Sequence, residues 1–196
     1  MTWYAVASRD DSRLPAWPAR LIDELESNDR QATELARGLS AEQLNWRPAP
    51  NSWGVGHCLH HLYVTNDVYL SAIAMALAGR SPAPVQEITP GWFGRWFIRN
   101  VIEPSPQSRR RRAPRKIVPA RQIDASILDL FLQSNVGARD LIRRASAHDV
   151  NRIRFRNPFV PLIRFTVGTG LEIVSRHQRR HLLQAERVKR TPGFPQ

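Results

Sequence analysis

The sequence predicts an all-α protein, a bundle of four long helices in a single domain. Its 196 residues are 42% hydrophobic and 23% charged, which is enough to bury one core and suits one domain. Apolar residues recur at spacings of three, four and seven, the period of a core-facing helix. The alternation typical of strands is not found. The predicted helices span residues 18–39, 53–77, 122–145 and 165–189.

The first helix has one polar residue on its apolar stripe. Asn28 lies among leucines and alanines at helical spacing, and Pro18 suits a first helical turn, where its missing N–H costs nothing. Beyond the helix, Ser40 and Gln43 have the spacing of a capping box and predict one further short turn.

The other three helices are bounded by residues that favour helix ends. Ser52 is the predicted N-cap of the second helix, and Gly79 and Pro82 follow its last apolar residue. The third and fourth helices carry inward-facing apolar stripes. In the fourth, the predicted buried row is Val167, Val174, His177, His181 and Val188.

A connection of about forty residues, 80–121, joins the second helix to the third. It is rich in Pro and Arg, and its length permits a crossover. It contains Trp92, Phe93, Trp96 and Phe97, spaced like a short amphipathic helix, for which packing over the bundle and a homodimer interface are the two interpretations. Residues 1–15 form an N-terminal extension, and residues 16–190 form the single domain.

The chain has a net charge of +12 and a sequence pI near 11.4, almost wholly from arginine. Such a charge favours anionic partners. The densest run, Arg109–Arg112 with Arg115 and Lys116, lies in a proline-flanked linker without a sequence-reading motif. A solvated linker or weak phosphate contact is therefore favoured over nucleic-acid binding.

Several classes of protein are excluded by composition. No apolar stretch reaches the roughly 18 residues of a membrane span. The N-terminus lacks the pattern of a secretory signal, so a cytoplasmic location is expected. The single cysteine, Cys58, rules out a disulfide framework and a Cys-rich zinc site.

Histidines supply the main chemical signal. His177 and His181 are four residues apart, so their rings project from one helical face among valines. Buried polar groups need partners, and one metal ion would satisfy both rings. The second helix offers a third ligand from His57, His60 and His61. His61 lies on the edge of the apolar stripe, whereas a solvated helical turn is favoured for His57 and His60.

Three imidazoles with an open coordination position make a catalytic type of metal site. Zinc and nickel suit such a nitrogen set. The metal lowers the pKa of a bound water or thiol, so hydrolysis and thiolate transfer both stay open. Asn28, Ser134 and His57 are candidate pocket-lining residues, although hydrogen-bonded core polar groups are the favoured interpretation of Asn28 and Ser134.

Two sequence motifs resemble those of the DinB/YfiT-like superfamily. The first is Trp53-Gly-Val-Gly-His-Cys-Leu-His-His61, preceded by Leu44-Asn-Trp-Arg-Pro, and the second runs from Gly168 to Gln184. The resemblance implies a four-helix bundle with long crossovers and a divalent metal held by His61, His177 and His181. Members include thiol-dependent S-transferases and a maleylpyruvate isomerase.

The expected function is a metal-dependent enzyme acting on a small molecule. It is either an S-transferase that uses a low-molecular-weight thiol or a hydrolase. The alternative is a non-enzymatic bundle, associated with stress or with a partner, whose metal only stabilises the fold. No membrane association is expected.

Overall fold

The computed structural model describes residues 15–103 and 114–196. Four long helices form the bundle: α1 (Ala16–Ala36), α3 (Val55–Leu77), α5 (Ile127–Ala145) and α6 (Val167–Lys189). Two short helices, α2 (Ala41–Asn45) and α4 (Trp92–Phe97), lie in the connections, together with a π-helical segment (Ile98–Ile102) and a 3₁₀ turn (Arg115–Ile117). The all-helical class and the four predicted helices are confirmed. The predicted extension, apart from its last residue, and Arg109–Arg112 lie outside the described residues.

The order of the helices around the bundle is not their order along the chain. α3 packs along α5 and α6, and α1 packs along the same two helices. α1 therefore faces α3 across the bundle, and α5 faces α6. The long connection between α3 and α5 joins adjacent helices, whereas the chain crosses the bundle from α1 to α3 and again from α5 to α6. None of the helices in the described ranges is long and apolar enough to span a bilayer.

The bundle core consists of two apolar halves with a polar layer between them. One half surrounds Leu25, Ile73 and Leu141, and the other surrounds Leu59, Phe131 and Leu182. Between the halves each long helix contributes one buried amide side chain, and we call these four residues the amide layer: Asn28, Asn66, Asn135 and Gln178.

The amide layer is closely hydrogen-bonded. Gln178 Nε2 donates to Asn135 Oδ1 at 2.7 Å and to Asn66 Oδ1 at 3.2 Å. Asn28 Nδ2 donates to Gln178 Oε1 at 3.3 Å, and Asn135 Nδ2 donates to Asp29 Oδ1 at 2.6 Å. Because a buried amide without partners is costly, these bonds align all four helices at one level.

Two local predictions are tested at the start of α2 and α3. The capping box is confirmed: the Gln43 backbone N–H donates to Ser40 Oγ, and the Ser40 backbone N–H donates to the Gln43 side chain. The prediction that Ser52 caps α3 is wrong. Its hydroxyl instead donates to the Ala49 carbonyl at 2.6 Å, which closes the preceding loop, and α3 begins at Val55 with Gly54 as N-cap.

Gly54 lies where a neighbouring backbone leaves no room for a side chain. A Cβ there would lie 2.2 Å from the Trp46 carbonyl oxygen and 3.2 Å from that of Leu44. We expect Gly54→Ala to lower the free energy of unfolding by about 2 kcal/mol or more, because the loop must move away from α3. Urea unfolding measures this.

Gly137→Ala is the matched control for Gly54→Ala. Gly137 is exposed within α5, and a Cβ there meets nothing within 4 Å. Its replacement is expected to stabilise the protein by about 0.5–1 kcal/mol through helix propensity. Equal effects of the two substitutions would contradict the close approach at Gly54.

The structure contains a small sheet that the sequence did not predict. β1 (Arg154–Arg156) and β2 (Arg164–Thr166) pair antiparallel, with Phe155 opposite Phe165. Both phenylalanines are buried and their neighbours on each strand are more exposed. Three residues are too few for alternation to stand out in sequence. Leu162 is 97% exposed in the hairpin connection.

The aromatic segment of the long connection packs over the bundle through its phenylalanines. The Phe93 ring stacks on that of Phe165 at 5.9 Å, and the Phe97 ring lies 4.9 Å from it. Trp92 and Trp96 are 75% and 50% exposed. The predicted short helix and its packing are confirmed, and the homodimer interpretation stays a prediction.

Candidate metal centre

Three imidazoles converge between α3 and α6. His61 comes from the first half of α3, and His177 and His181 come from successive turns of α6. One ring nitrogen from each lies within 4.8 Å of the others, and Nε2 of His61 is 3.3 Å from Nε2 of His177. Within the described ranges this is the only cluster of three or more His, Cys, Asp or Glu side chains with such spacing.

Hydrogen bonds fix two of the rings in the tautomer that a metal ligand needs. His61 Nδ1–H donates to the Ile117 carbonyl oxygen at 2.7 Å, and His181 Nδ1–H donates to Gln184 Oε1 at 3.0 Å. Each bond leaves Nε2 unprotonated. An oxygen acceptor behind a coordinating imidazole is the usual outer-shell arrangement of histidine metal sites.

The donor set fits a divalent transition metal. Tetrahedral zinc with Zn–N bonds of 2.0–2.1 Å separates two imidazole nitrogens by about 3.3 Å, the distance found between His61 and His177. Burial lowers the pKa of His61 to about 4. Burial, then the neighbouring imidazoles and Arg180, hold the pKa values of His177 and His181 well below their usual range. All three rings are therefore neutral at pH 7 and available as ligands.

Trp53 covers the imidazole cluster from the loop before α3. Its ring lies 4.8 Å from the His61 ring and 5.6 Å from the His181 ring, tilted by 46° and 34°. This placement gives a structural reason for the Trp in the motif at the start of α3. The indole therefore packs against one side of the cluster.

The loop before α3 also holds the segment that carries the Ile117 carbonyl. Asn45 Nδ2 donates to the Ile123 carbonyl at 2.9 Å, and Asn45 Oδ1 accepts from the Ile123 N–H at 2.7 Å. Arg47 Nη2 donates to the Arg121 carbonyl at 2.8 Å. The Asn-Trp-Arg-Pro sequence thus ties residues 117–123 to the bundle, and this positions the acceptor of His61.

The remaining histidines lie outside the cluster. His57 is 2% exposed, so the solvated interpretation is wrong for this residue. Its Nδ1 accepts from the Gly54 N–H at 3.3 Å, and its Nε2 lies 2.6 Å from Arg47 Nη2. Burial and the Arg47 charge lower its pKa. His60 is half-buried rather than solvated, and His148 Nδ1–H donates to the Ser81 carbonyl at 3.2 Å.

The polar pocket candidates Asn28 and Ser134 belong to the interior of the bundle. Asn28 is a member of the amide layer, and Ser134 Oγ accepts from Asn66 Nδ2 at 2.9 Å while it donates to the Phe131 carbonyl at 2.7 Å. Their hydrogen bonds match the satisfied core groups favoured from the sequence. Sequence reasoning missed Gln178, which has no exposed surface.

A cavity of about 80 Å³ lies beside the imidazole cluster. His177 forms part of its wall, and α3 contributes Thr65 and Tyr69. Apolar side chains supply most of the remaining wall.

The predicted pocket residues His57, Asn28 and Ser134 are not among the residues that line this cavity. Thr65 and Tyr69 were not predicted as site residues, although they follow His61 at i+4 and i+8 on one helical face. A wider groove between α1 and α5 contains none of the histidines.

The cysteine takes no part in this site. Cys58 is fully buried, and burial raises the pKa of its thiol to about 12. The thiol is therefore protonated at neutral pH and is not available as a nucleophile.

Comparisons with known proteins agree with the fold. A family model described as the DinB superfamily matches residues 24–185. Among solved structures, the chain is similar to YfiT from Bacillus subtilis, described as a probable metal-dependent hydrolase with an unusual four-helix bundle topology. The TM-score is 0.60 at 16% identity, over 98% of this chain and 95% of that one. No curated protein matches the sequence.

Proposed function

Because the chain belongs to the DinB superfamily, we propose that it is a metal-dependent hydrolase of a small molecule. His61, His177 and His181 would hold one divalent cation. The observation that carries the proposal is the convergence of these three neutral imidazoles beside a cavity. The description of YfiT as a metal-dependent hydrolase supports it.

Different residues would hold the metal and orient its ligands at this centre. A divalent cation held by the three imidazoles would supply Lewis-acid chemistry, which polarises a substrate oxygen or activates water. Ile117 and Gln184 hold the His61 and His181 rings in register. The Arg180 guanidinium, bonded to the Val101 carbonyl at 2.7 Å, lies close enough to lower the pKa values of His177 and His181.

The size of the cavity favours hydrolysis over thiol transfer. A volume of about 80 Å³ suits a small substrate and a water, whereas a thiol of peptide size would have to lie largely outside this cavity. Zinc and nickel are the proposed metals, because both accept a set of three nitrogen ligands.

An activity screen tests the proposal. Protein loaded with zinc or nickel, and protein stripped with EDTA, would be incubated with short-chain esters, lactones and amides. A parallel set would contain an alkylating electrophile with and without a thiol. We expect hydrolysis that requires the metal and disappears in His177→Ala.

The other outcomes assign the chain differently. Turnover only in the presence of thiol would indicate a transferase. Stoichiometric metal that raises the unfolding temperature without turnover of any substrate would indicate a non-enzymatic bundle with a structural metal. Either result would contradict the hydrolase.

A further inference from the structure

Two buried hydroxyl groups in the cavity have no hydrogen-bond partner. They are Thr65 Oγ1 and Tyr69 Oη, and within residues 15–103 and 114–196 only His60 Nδ1 shares this condition. Thr65 is 8% exposed and Tyr69 is 2% exposed. Nearly all buried polar groups in folded proteins are paired, so two orphaned hydroxyls on one wall require an explanation.

The surroundings of these hydroxyls hold them in place. The Tyr69 ring packs edge-on against Phe155 at 5.2 Å and stacks on Phe159 at 5.9 Å, which fixes its direction. A helical threonine commonly bonds the carbonyl one turn earlier, but Thr65 makes no such bond. Both groups line the cavity that His177 also lines.

We propose that Thr65 and Tyr69 bind the substrate of the proposed hydrolase, through hydroxyls that donate to one acceptor oxygen of a small, mainly apolar molecule. The residues are four apart on α3, so they share one face and reach one region of the cavity. Burial raises the pKa of Tyr69, which keeps this hydroxyl protonated and able to donate. Most of the remaining wall is apolar and suits hydrocarbon, and the two amides on it, Asn66 and Asn157, are already hydrogen-bonded within the protein.

The volume limits the substrate class. An apolar cavity of about 150 Å³ accommodates benzene, so about 80 Å³ admits a group of roughly three to five non-hydrogen atoms. A short acyl group with its carbonyl oxygen toward Thr65 and Tyr69 fits this description. The carbonyl compound would be held beside His177, one of the three residues that would hold the proposed metal.

Acetone and isobutene provide the test, because they have the same shape and only acetone has an acceptor oxygen. Binding is followed by amide chemical-shift changes of Ile173 and Val174 in the metal-free and in the zinc-loaded protein. The informative quantity is how each substitution changes the two affinities, because isobutene is the more hydrophobic probe and its absolute affinity also reflects that difference. Tyr69→Phe and Thr65→Val are each expected to weaken acetone binding by about 5–10-fold, the effect of one hydrogen bond, and to leave isobutene binding unchanged or stronger.

Tyr63→Phe is the matched control. It removes the same hydroxyl from the same helix at a residue that does not line the cavity, and it should leave both affinities unchanged. Failure of acetone to bind, unaltered acetone affinity in both cavity variants, or an equal loss of isobutene affinity in those variants would overturn the proposal. Since binding is measured without metal as well, this result is separate from whether the protein hydrolyses anything.

Discussion

Replacing His177 with alanine is expected to abolish stoichiometric metal binding. His177 contacts both other rings, because its Nε2 lies 3.3 Å from His61 Nε2 and its ring centre lies 4.6 Å from that of His181. Loss of an outer-shell partner usually costs 10–100-fold in metal affinity, so loss of a ligand should cost more than about 100-fold. Calorimetric titration with zinc and elemental analysis of the purified variant measure the effect.

Two further variants test whether zinc affinity depends on the cluster: one removes a hydrogen-bond acceptor behind a ligand, and the other is a control outside the cluster. Gln184→Ala removes the acceptor of His181 Nδ1–H and should weaken zinc binding by about 10–100-fold without abolishing it. His148→Ala changes a histidine outside the cluster and should bind zinc like wild type. If His177→Ala retained one tightly bound zinc ion per chain, the three imidazoles would not be the metal site, and the hydrolase proposal would lose its support.

Replacing Gln178 with alanine is expected to be strongly destabilising, by about 3 kcal/mol or more. The change leaves a cavity at the centre of the bundle and removes hydrogen bonds to Asn28, Asn66 and Asn135. Those amides then stay buried without a full set of partners, which costs more than the bonds themselves contribute. Urea unfolding in the presence of EDTA measures this free energy apart from any effect of metal.

Two substitutions separate the polar effect from the loss of volume. Gln178→Leu keeps most of the volume but leaves the neighbouring amides unpaired, and it should still cost about 2 kcal/mol. Gln133→Ala removes the same atoms from an exposed site on α5 and should change stability by less than about 0.5 kcal/mol. If Gln178→Leu were as stable as wild type, the amide layer would contribute nothing net to stability.

The fold was largely predictable because the spacing of apolar residues within each segment indicates a helix. Leucine, isoleucine and alanine at three- and four-residue intervals predict each long helix. The i, i+4 spacing of His177 and His181 likewise predicts that their rings share a face. The edge of the apolar stripe favoured His61 over His57 and His60, the family resemblance implied the same residue, and the structure brings His61 together with the other two.

The predicted buried row of α6 was wrong at its centre. Gln178 points to the bundle interior, while His177 and His181 flank that row and face α3 and are only partly buried. Valines on both sides of the histidines made the row containing 177 and 181 look apolar, and a glutamine is rarely fully buried. Its partners come from three other helices, which no local pattern specifies.

The contacts that complete the site could not be predicted from the sequence either, because their partners are also distant along the chain. The Ile117 carbonyl meets His61 across 56 residues of chain, and Asn45 reaches Ile123 across 78. Carbonyl acceptors carry no side-chain signature, and the segment that bears this one is placed by the loop before α3. Such long-range pairings follow from the packing of the chain rather than from any window of its sequence.

The position of Gln178 in the amide layer has a consequence for its neighbour in the chain. A helix whose buried face is wholly apolar can shift along its axis to a similar packing at small cost. Buried amides form their hydrogen bonds in only one axial position. Sliding α6 by one turn would move Gln178 by about 5.4 Å from all its partners and would carry His177 and His181 away from His61 by the same distance. The hydrogen bonds of the amide layer thus fix the axial position of α6 and, with it, the distances between the three imidazoles. The protein interior therefore preorganises the ligand geometry whether or not a cation is bound.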